Sequence, residues 1–343
     1  MRYFAYGKST GLNGSARTSS TFIGGESLSV YHRGMNVASH EPGVDLPRQQ
    51  RGTPPQHLLT TILGDYWWGR REGLPSAALV ALAGEFNVTP PAARAALSRL
   101  IRRRLLRVER QGRRASYALT EEAERVLTEG IQRIVAFGTG FPTWDGRWTV
   151  AAFSLPEQSR DLRHLLRTRL RWLGFAALYD GMWVSAHDVG TAARKVLGEL
   201  GVEQATVLRA EVVEGTDGRP PTAAWDIDEL RRTYQDFLDS YAPLRERVAH
   251  GGVGATEALV ARTELMDTWR TLPGLDPELP RELLPDDWPL RGARALFAEV
   301  YDGLGPLAEI RVRQIVGKFN PELASLVRHH TTTSIRVRDV PSG

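Results

Sequence analysis

The stretch TPPAARAALSRLIRRRLLRVERQGRR, Thr89 to Arg114, decides how the first third of the chain folds. Thr89 offers a side-chain oxygen for an N-cap, and Pro90 suits the first helical position, so the spacing predicts a helix starting here. Along it Ala93, Ala96, Leu97, Leu100 and Ile101 form an apolar stripe, with Arg94, Ser98, Arg99, Arg102 and Arg103 largely off it. Leu105 to Glu109 then reads as a strand, Gln111-Gly112-Arg113-Arg114 as a turn, and Ser116 to Leu119 as the return strand.

Upstream, Leu58, Leu59, Ile62, Leu63 and Tyr66 fall at helical spacing. Leu74-Pro75-Ser76 opens a second helix that carries Leu79, Leu82, Ala83 and Phe86 on one face, and Asn87-Val88 makes a short turn. Short helix, tight turn, capped helix and hairpin together make a winged helix-turn-helix, with two arginines at the tip of the wing. Downstream, Thr120 caps a fourth helix whose first turn holds Glu121, Glu122 and Glu124, where the helix dipole favours them.

The charge follows the same element. From Arg94 onward the quoted stretch has nine arginines against one acid, Glu109, while the whole chain carries a net charge of only +4. Residues 56–137 hold 13 arginines against 8 acids, whereas residues 138–343 hold 25 basic and 29 acidic residues. An arginine-rich helix is often only a solvated face. Here the arginines fall on the reading helix and wing tip of an independently argued DNA-binding motif, and arginine suits both guanine edges and phosphates. The expected partner is double-stranded DNA, with Thr89 capping the reading helix. Arg94, Ser98 and Arg99 are expected in the groove, and Arg102, Arg103, Arg113 and Arg114 on phosphates.

Composition excludes several alternatives. With no cysteine the chain has no disulfide, no thiolate-bound metal and no thiol nucleophile, which suits a cytoplasmic protein. No apolar run is long enough to span a membrane. Residues 1–55 are rich in Ser, Gly, Thr and Arg and read as a disordered extension, with Met35 as an alternative translation start. His329-His330 lacks a third ligand at sensible spacing, so no metal and no cofactor is expected.

The winged unit is expected over residues 56–137. Residues 144–215 read as strand, helix, two strands joined by Asp180-Gly181, helix, strand: the βαββαβ order of a ferredoxin-like sandwich. Its first helix carries Arg163, Arg167, Arg169 and Arg171, a solvated face or else a phosphate site. Residues 224–320 read as a helical domain. Leu230 to Tyr241, Thr256 to Trp269 and Arg291 to Tyr301 are its helices, and an ordered proline-rich connector precedes the last of them. Trp225, Trp269 and Trp288 read as core or interface anchors. Residues 321–343 read as a disordered tail, and the whole as an α+β multidomain chain.

The stretches PAARAALSRL, QGRRASYALT, WDGRWTVAAFSLPE, LRTRLRWLGFAALYDGMWVSAHD, AWDIDELRRTYQDFL and TWRTLPGLDPELPRELLPDDWPLRGARALF resemble the PaaX family of bacterial repressors. The resemblance covers residues 56 to roughly 315, and its most specific part is the DPELPRELLP segment with its following Trp and GARALF. It implies a homodimeric transcriptional repressor of aromatic catabolism, typically of the phenylacetate pathway, released by phenylacetyl-CoA. It also implies a middle domain like the CRISPR-adaptation nuclease fold. Arg167, Arg171, Trp269 and Arg270 are the expected effector contacts, arginines for CoA phosphates and an aromatic surface for the phenyl ring. Two positions depart from the family pattern: Ala95, where Thr is usual, and Arg104-Leu105-Leu106, where Gly-Trp-Leu is usual.

Two enzymatic readings compete. A metal-dependent nuclease on the middle domain needs an acid at the end of its first strand, where this chain has Ser154, with Glu157 three residues on. An acyl-CoA-acting enzyme lacks a Gly-x-Ser-x-Gly elbow, a helical metal-binding His pair or a Gly-rich phosphate loop. The expectation is therefore a regulator and not an enzyme.

Overall fold

The computed structural model describes residues 55–337 apart from residues 113, 157 and 214–217. The extension over residues 1–54 and the end over residues 338–343 lie outside the described residues. The chain mixes helix and sheet in three successive groups of elements.

The first group runs α1 (Pro55–Tyr66), β1 (Leu74–Pro75), α2 (Ser76–Gly84), α3 (Pro90–Arg102), β2 (Leu106–Gln111), β3 (Arg114–Leu119) and α4 (Glu121–Ala136). Thr89 and Thr120 cap α3 and α4, their hydroxyls accepting from the backbone N–H of Ala92 and Ala123. The hairpin turns tightly, with Gln111 opposite Arg114 and Gly112 at φ +62°, a left-handed angle that glycine takes without steric cost. Leu74-Pro75, expected only to open a helix, also pairs antiparallel with Ser116 and Tyr117, so the hairpin becomes a three-stranded sheet. A Cβ on Gly73 would stand 2.9 Å from the Ser116 side chain, which is why the chain can cross there.

The second group is β4 (Trp148–Phe153), α5 (Arg160–Trp172), β5 (Ala176–Tyr179), β6 (Met182–Ser185), α6 (Gly190–Glu199) and β7 (Ala205–Ala210). Its antiparallel sheet has the order β5-β6-β4-β7. One face packs Ala151, Phe175 and Trp183 against Leu166 and Leu170 of α5 and Ala193 and Leu197 of α6. The other face, Trp148, Leu178 and Val184, is covered by Trp144, Trp225, Leu279, Leu283 and Leu284.

The third group is helical: α7 (Ile227–Ala249), α8 (Ala255–Trp269), the single turn α9 (Leu272–Leu275), α10 (Leu290–Gly317), α11 (Pro321–Leu326) and α12 (Thr332–Val337). Its buried residues join those of the first group in one hydrophobic core, from Leu58 to Val327, separate from that of the sheet between them. Trp269 is its centre. The ring stacks 4.7 Å from Phe297, tilts against Phe137 and Phe237, and its indole N–H donates to the Ile134 carbonyl at 3.1 Å.

Two expectations are corrected here. The last long helix, read as ending at Tyr301, continues to Gly317 through Gly303, Gly305 and Pro306. The glycines are contact points and not breakers: a Cβ on Gly303 would collide with Val248, and one on Gly305 with the His329 ring. The segment from 321, read as a disordered tail, forms α11 and α12 over its described residues. Its polar groups have specific partners that composition does not reveal. The His329 ring donates to Glu309, the Thr332 hydroxyl and N–H to Asp302, and Val327 and Ile335 are buried. No helix among the described residues is long and apolar enough to cross a membrane.

Candidate nucleic-acid interface

Helix α3 presents the surface that the sequence points to. Ala93, Ala96, Leu97 and Leu100 are buried, which fixes the rotation of the helix. Thr89, Arg94, Ser98, Arg102 and Arg103 are exposed in consequence, and Arg99 is half-buried. The Arg99 Nε has no hydrogen-bond partner among the described residues. The Ser98 hydroxyl donates to the Arg94 carbonyl at 3.1 Å and keeps its acceptor lone pairs for another group. The only acid of the stretch, Glu109, is engaged by Arg107 of its own strand, whose guanidinium also reaches the Arg71 carbonyl. The cations of α3 are therefore not neutralised by it. Arg113 lies outside the described residues, and Arg114 occupies the first position of β3.

Beside the start of α3 runs an open groove of about 420 Å³, lined by Ala77, Val80, Ala81, Gly84 and Val88 with Arg94 at its rim. The end of α3 is closed by a Schellman motif. The Leu105 N–H bonds to the Leu100 carbonyl at 2.9 Å and the Arg104 N–H to Ile101 at 2.8 Å, with Arg104 at φ +58°. The departure from Gly at this position thus falls where the backbone is left-handed.

The four expected effector residues are not brought into one site by any described contact. Trp269 is fully buried, stacked on Phe297 and in tilted contact with Phe237 and Phe137, so the expectation that it offers an aromatic surface is corrected. Its neighbour Arg270 is engaged inside the α1–α8 contact, 3.2 Å from Asp267 and 3.2 Å from the His57 ring. Burial pushes this guanidinium down to about 9, which leaves it charged at neutral pH. On α5, Arg163 donates to the Leu155 and Pro156 carbonyls and Arg169 pairs with Glu199 at 2.7 Å. Arg171 lies over the Trp183 ring at 5.6 Å, and the Nε of Arg167 is buried with no partner among the described residues. Among the described residues, these two are the arginines of the cluster without a hydrogen bond or ion pair to the fold.

At the end of β4, the Ser154 N–H bonds to the Gln204 carbonyl, and Glu157 lies outside the described residues. Among the described residues no three His, Cys, Asp or Glu side chains gather as metal ligands would.

Comparison with known proteins follows the same three groups. Residues 55–123 match the family model of the PaaX-like protein, 142–221 that of the PaaX protein central Cas2-like domain, and 225–314 that of the PaaX-like protein C-terminal domain. The transcriptional repressor PaaX of Escherichia coli (strain K12) is 27% identical over 269 residues, covering 73% of this chain and 80% of the repressor. Among solved structures, the uncharacterized protein Rv0674 from Mycobacterium tuberculosis has the same fold, with a TM-score of 0.50 at 19% identity over 77% of this chain and 98% of that one. With all three models matched in order along the chain, the protein belongs to the PaaX family.

Proposed function

We propose that the protein is a DNA-binding transcriptional repressor that reads its operator with α3. In this reading residues 56–137 work as a winged helix-turn-helix, residues 144–215 as a ferredoxin-like domain and residues 224–320 as a helical domain. The observation that carries it is the geometry of α3. Its apolar stripe packs into the core, which leaves Arg94 and Ser98 exposed, Arg99 half-buried beside them, and Arg102 and Arg103 exposed at the helix end. A reading helix needs side chains that match base edges near its start and cations flanking them for phosphates. As a homodimer the protein would meet a pseudo-palindrome with half-sites roughly 34–36 Å apart or a multiple of that.

The effector in this reading is phenylacetyl-CoA or a related aryl-CoA, with Arg167 and Arg171 on α5 taking its phosphates. Release would be a population shift between dimer geometries. If the double variant Arg167→Ala/Arg171→Ala is released by the ester as readily as the parent, these residues do not hold it.

Fluorescence anisotropy on duplex from upstream of the regulated operon, against a scrambled duplex, tests the central claim. Arg94→Ala and Arg99→Ala are expected to erode discrimination by about 1–3 kcal/mol per lost base contact. Arg102→Ala with Arg103→Ala is expected to weaken both duplexes alike and lower the log–log salt slope by about 1.8 in total. Equal affinity for operator and scrambled duplex would overturn the proposal.

A further inference from the structure

Arg104 has no role in the fold that its side chain explains. It follows α3 at φ +58°, the left-handed C′ position of the Schellman motif, where glycine is the usual residue because a Cβ is crowded there. Two other non-glycine residues among those described have a positive φ, and each is tolerated for a visible reason. Asn87, at φ +60°, is a residue type that visits this region readily. Glu278, at φ +51°, has its N–H held by the Asp276 carboxylate at 2.6 Å and its side chain paired with Arg133 at 3.3 Å.

Arg104 has no such compensation. Its carbonyl accepts from the Thr120 hydroxyl at 2.7 Å, a contact that any residue would make. Its side chain is exposed and pairs with no acid among the described residues. It also follows Arg102 and Arg103 directly, so the third cation adds repulsion to the backbone strain, and Glu109 is already engaged by Arg107. Strain and like charge at one exposed position both oppose folding of the protein alone, and a polyanion would relieve the second.

We infer that Arg104 contacts a DNA phosphate at the end of the reading helix, and that its charge is kept there at the expense of stability. The inference rests on the DNA-binding reading above and names a residue which that reading does not include.

Arg104→Gly separates the two effects in one variant of the full chain. The melting temperature is expected to rise by about 1–3 °C as the left-handed strain is removed. Operator affinity near 0.1 M salt is expected to fall about five- to tenfold, and the salt slope by about 0.9, the signature of one phosphate contact. Arg104→Lys keeps charge and strain and should retain affinity and slope. Lys318→Ala, an exposed cation at the C-terminal end of α10, controls for net charge and should leave the slope unchanged. An Arg104→Gly protein that binds with parental affinity and slope overturns the inference, as does one that melts below the parent. If the parent itself fails to prefer operator over scrambled duplex, the DNA-binding reading fails first, and that result is seen without any variant.

Discussion

Arg262→Met tests whether a buried ion pair holds the first group of elements against the C-terminal helices. Arg262 on α8 has no exposed surface. Its Nη1 lies 3.3 Å from the Asp65 carboxylate of α1, its Nε donates to the Tyr301 carbonyl at 3.0 Å, and its Nη2 to the His330 carbonyl at 2.6 Å. The guanidinium also stacks 3.7 Å from the Tyr301 ring. Methionine fills most of that volume, so the main loss is polar: Asp65 keeps the Tyr301 hydroxyl at 2.8 Å but loses its cation. Breaking one side of a buried pair costs about 3–5 kcal/mol. With a urea slope of about 3 kcal/mol/M, the midpoint should fall by about 1–1.7 M.

Two controls bear on that mechanism. Burial already raises the Asp65 pKa above 3.8, and Arg262 is the main influence pulling it back. Without Arg262 the folded-state value rises further above the unfolded one. Stability from this carboxyl is then present at acid pH and lost as pH rises through the folded pKa, so the deficit of the variant should grow from pH 5 to pH 8. Asp65→Asn added to Arg262→Met removes the unpaired charge and should recover part of the loss. A midpoint shift under about 0.3 M, or one independent of pH, would refute the reasoning.

Three further outcomes are expected. Asp276 is buried, and burial pushes its carboxyl up to about 6 although the Tyr234 hydroxyl and the Glu278 N–H donate to it. Its stabilising effect is complete below about pH 4 and lost as pH rises through 6, so Asp276→Asn should gain on the parent by up to about 3 kcal/mol between pH 4 and 8, and parallel urea midpoints would contradict this. Gly138→Ala places a Cβ at φ +71°, 3.0 Å from Leu290 and 3.2 Å from the Arg294 side chain, and should lower stability by about 2–3 kcal/mol in calorimetry. Ending the chain after Asn320 uncovers Trp68, Val135 and the Glu309 carboxylate, and should lower the urea midpoint by an amount equivalent to roughly 3 kcal/mol or more.

The elements of residues 56–215 were legible because their signals are local. A capped threonine, a two-residue turn and an alternation of period two or 3.6 each specify a few residues without reference to the rest of the chain. What was not legible depends on contacts far along the sequence. Gly303, Gly305 and Pro306 end a helix in any local reading, and only the approach of Val248 and His329 explains why α10 runs through them. The polar run from His329 to Ser334 has no apolar period, and its order comes from Glu309, Asp302 and Arg262 on other helices. Arg104 stands out in the sequence only as a departure from the family's Gly, because charge patterning does not register a backbone angle. Trp269 carries two readings in the sequence, a core anchor by its type and an effector contact through the family resemblance, and Phe297 stacked on the buried ring favours the first.

In the proposed reading, the distribution of the core constrains how an effector held on α5 would act on α3. Tyr301 of α10 donates to Asp65 of α1, Arg311 of α10 makes a two-pronged pair with Glu85 at the end of α2, and Arg294 donates to the Val135 carbonyl of α4. A common apolar core backs these ties, so the first group of elements and the long helices resist moving independently. The four-stranded sheet has its own core and meets the helical part through a smaller seam. Trp225 stacks on Trp148 there, Leu279 packs beside them, and the His187 ring donates to the Pro277 carbonyl at 2.9 Å. If the aryl-CoA binds along α5, its influence on α3 has to cross that seam, because the remaining route is packed as a single interior. Regulation would then displace the sheet as a unit relative to the body that carries α3 and leave the internal geometry of α3 unchanged.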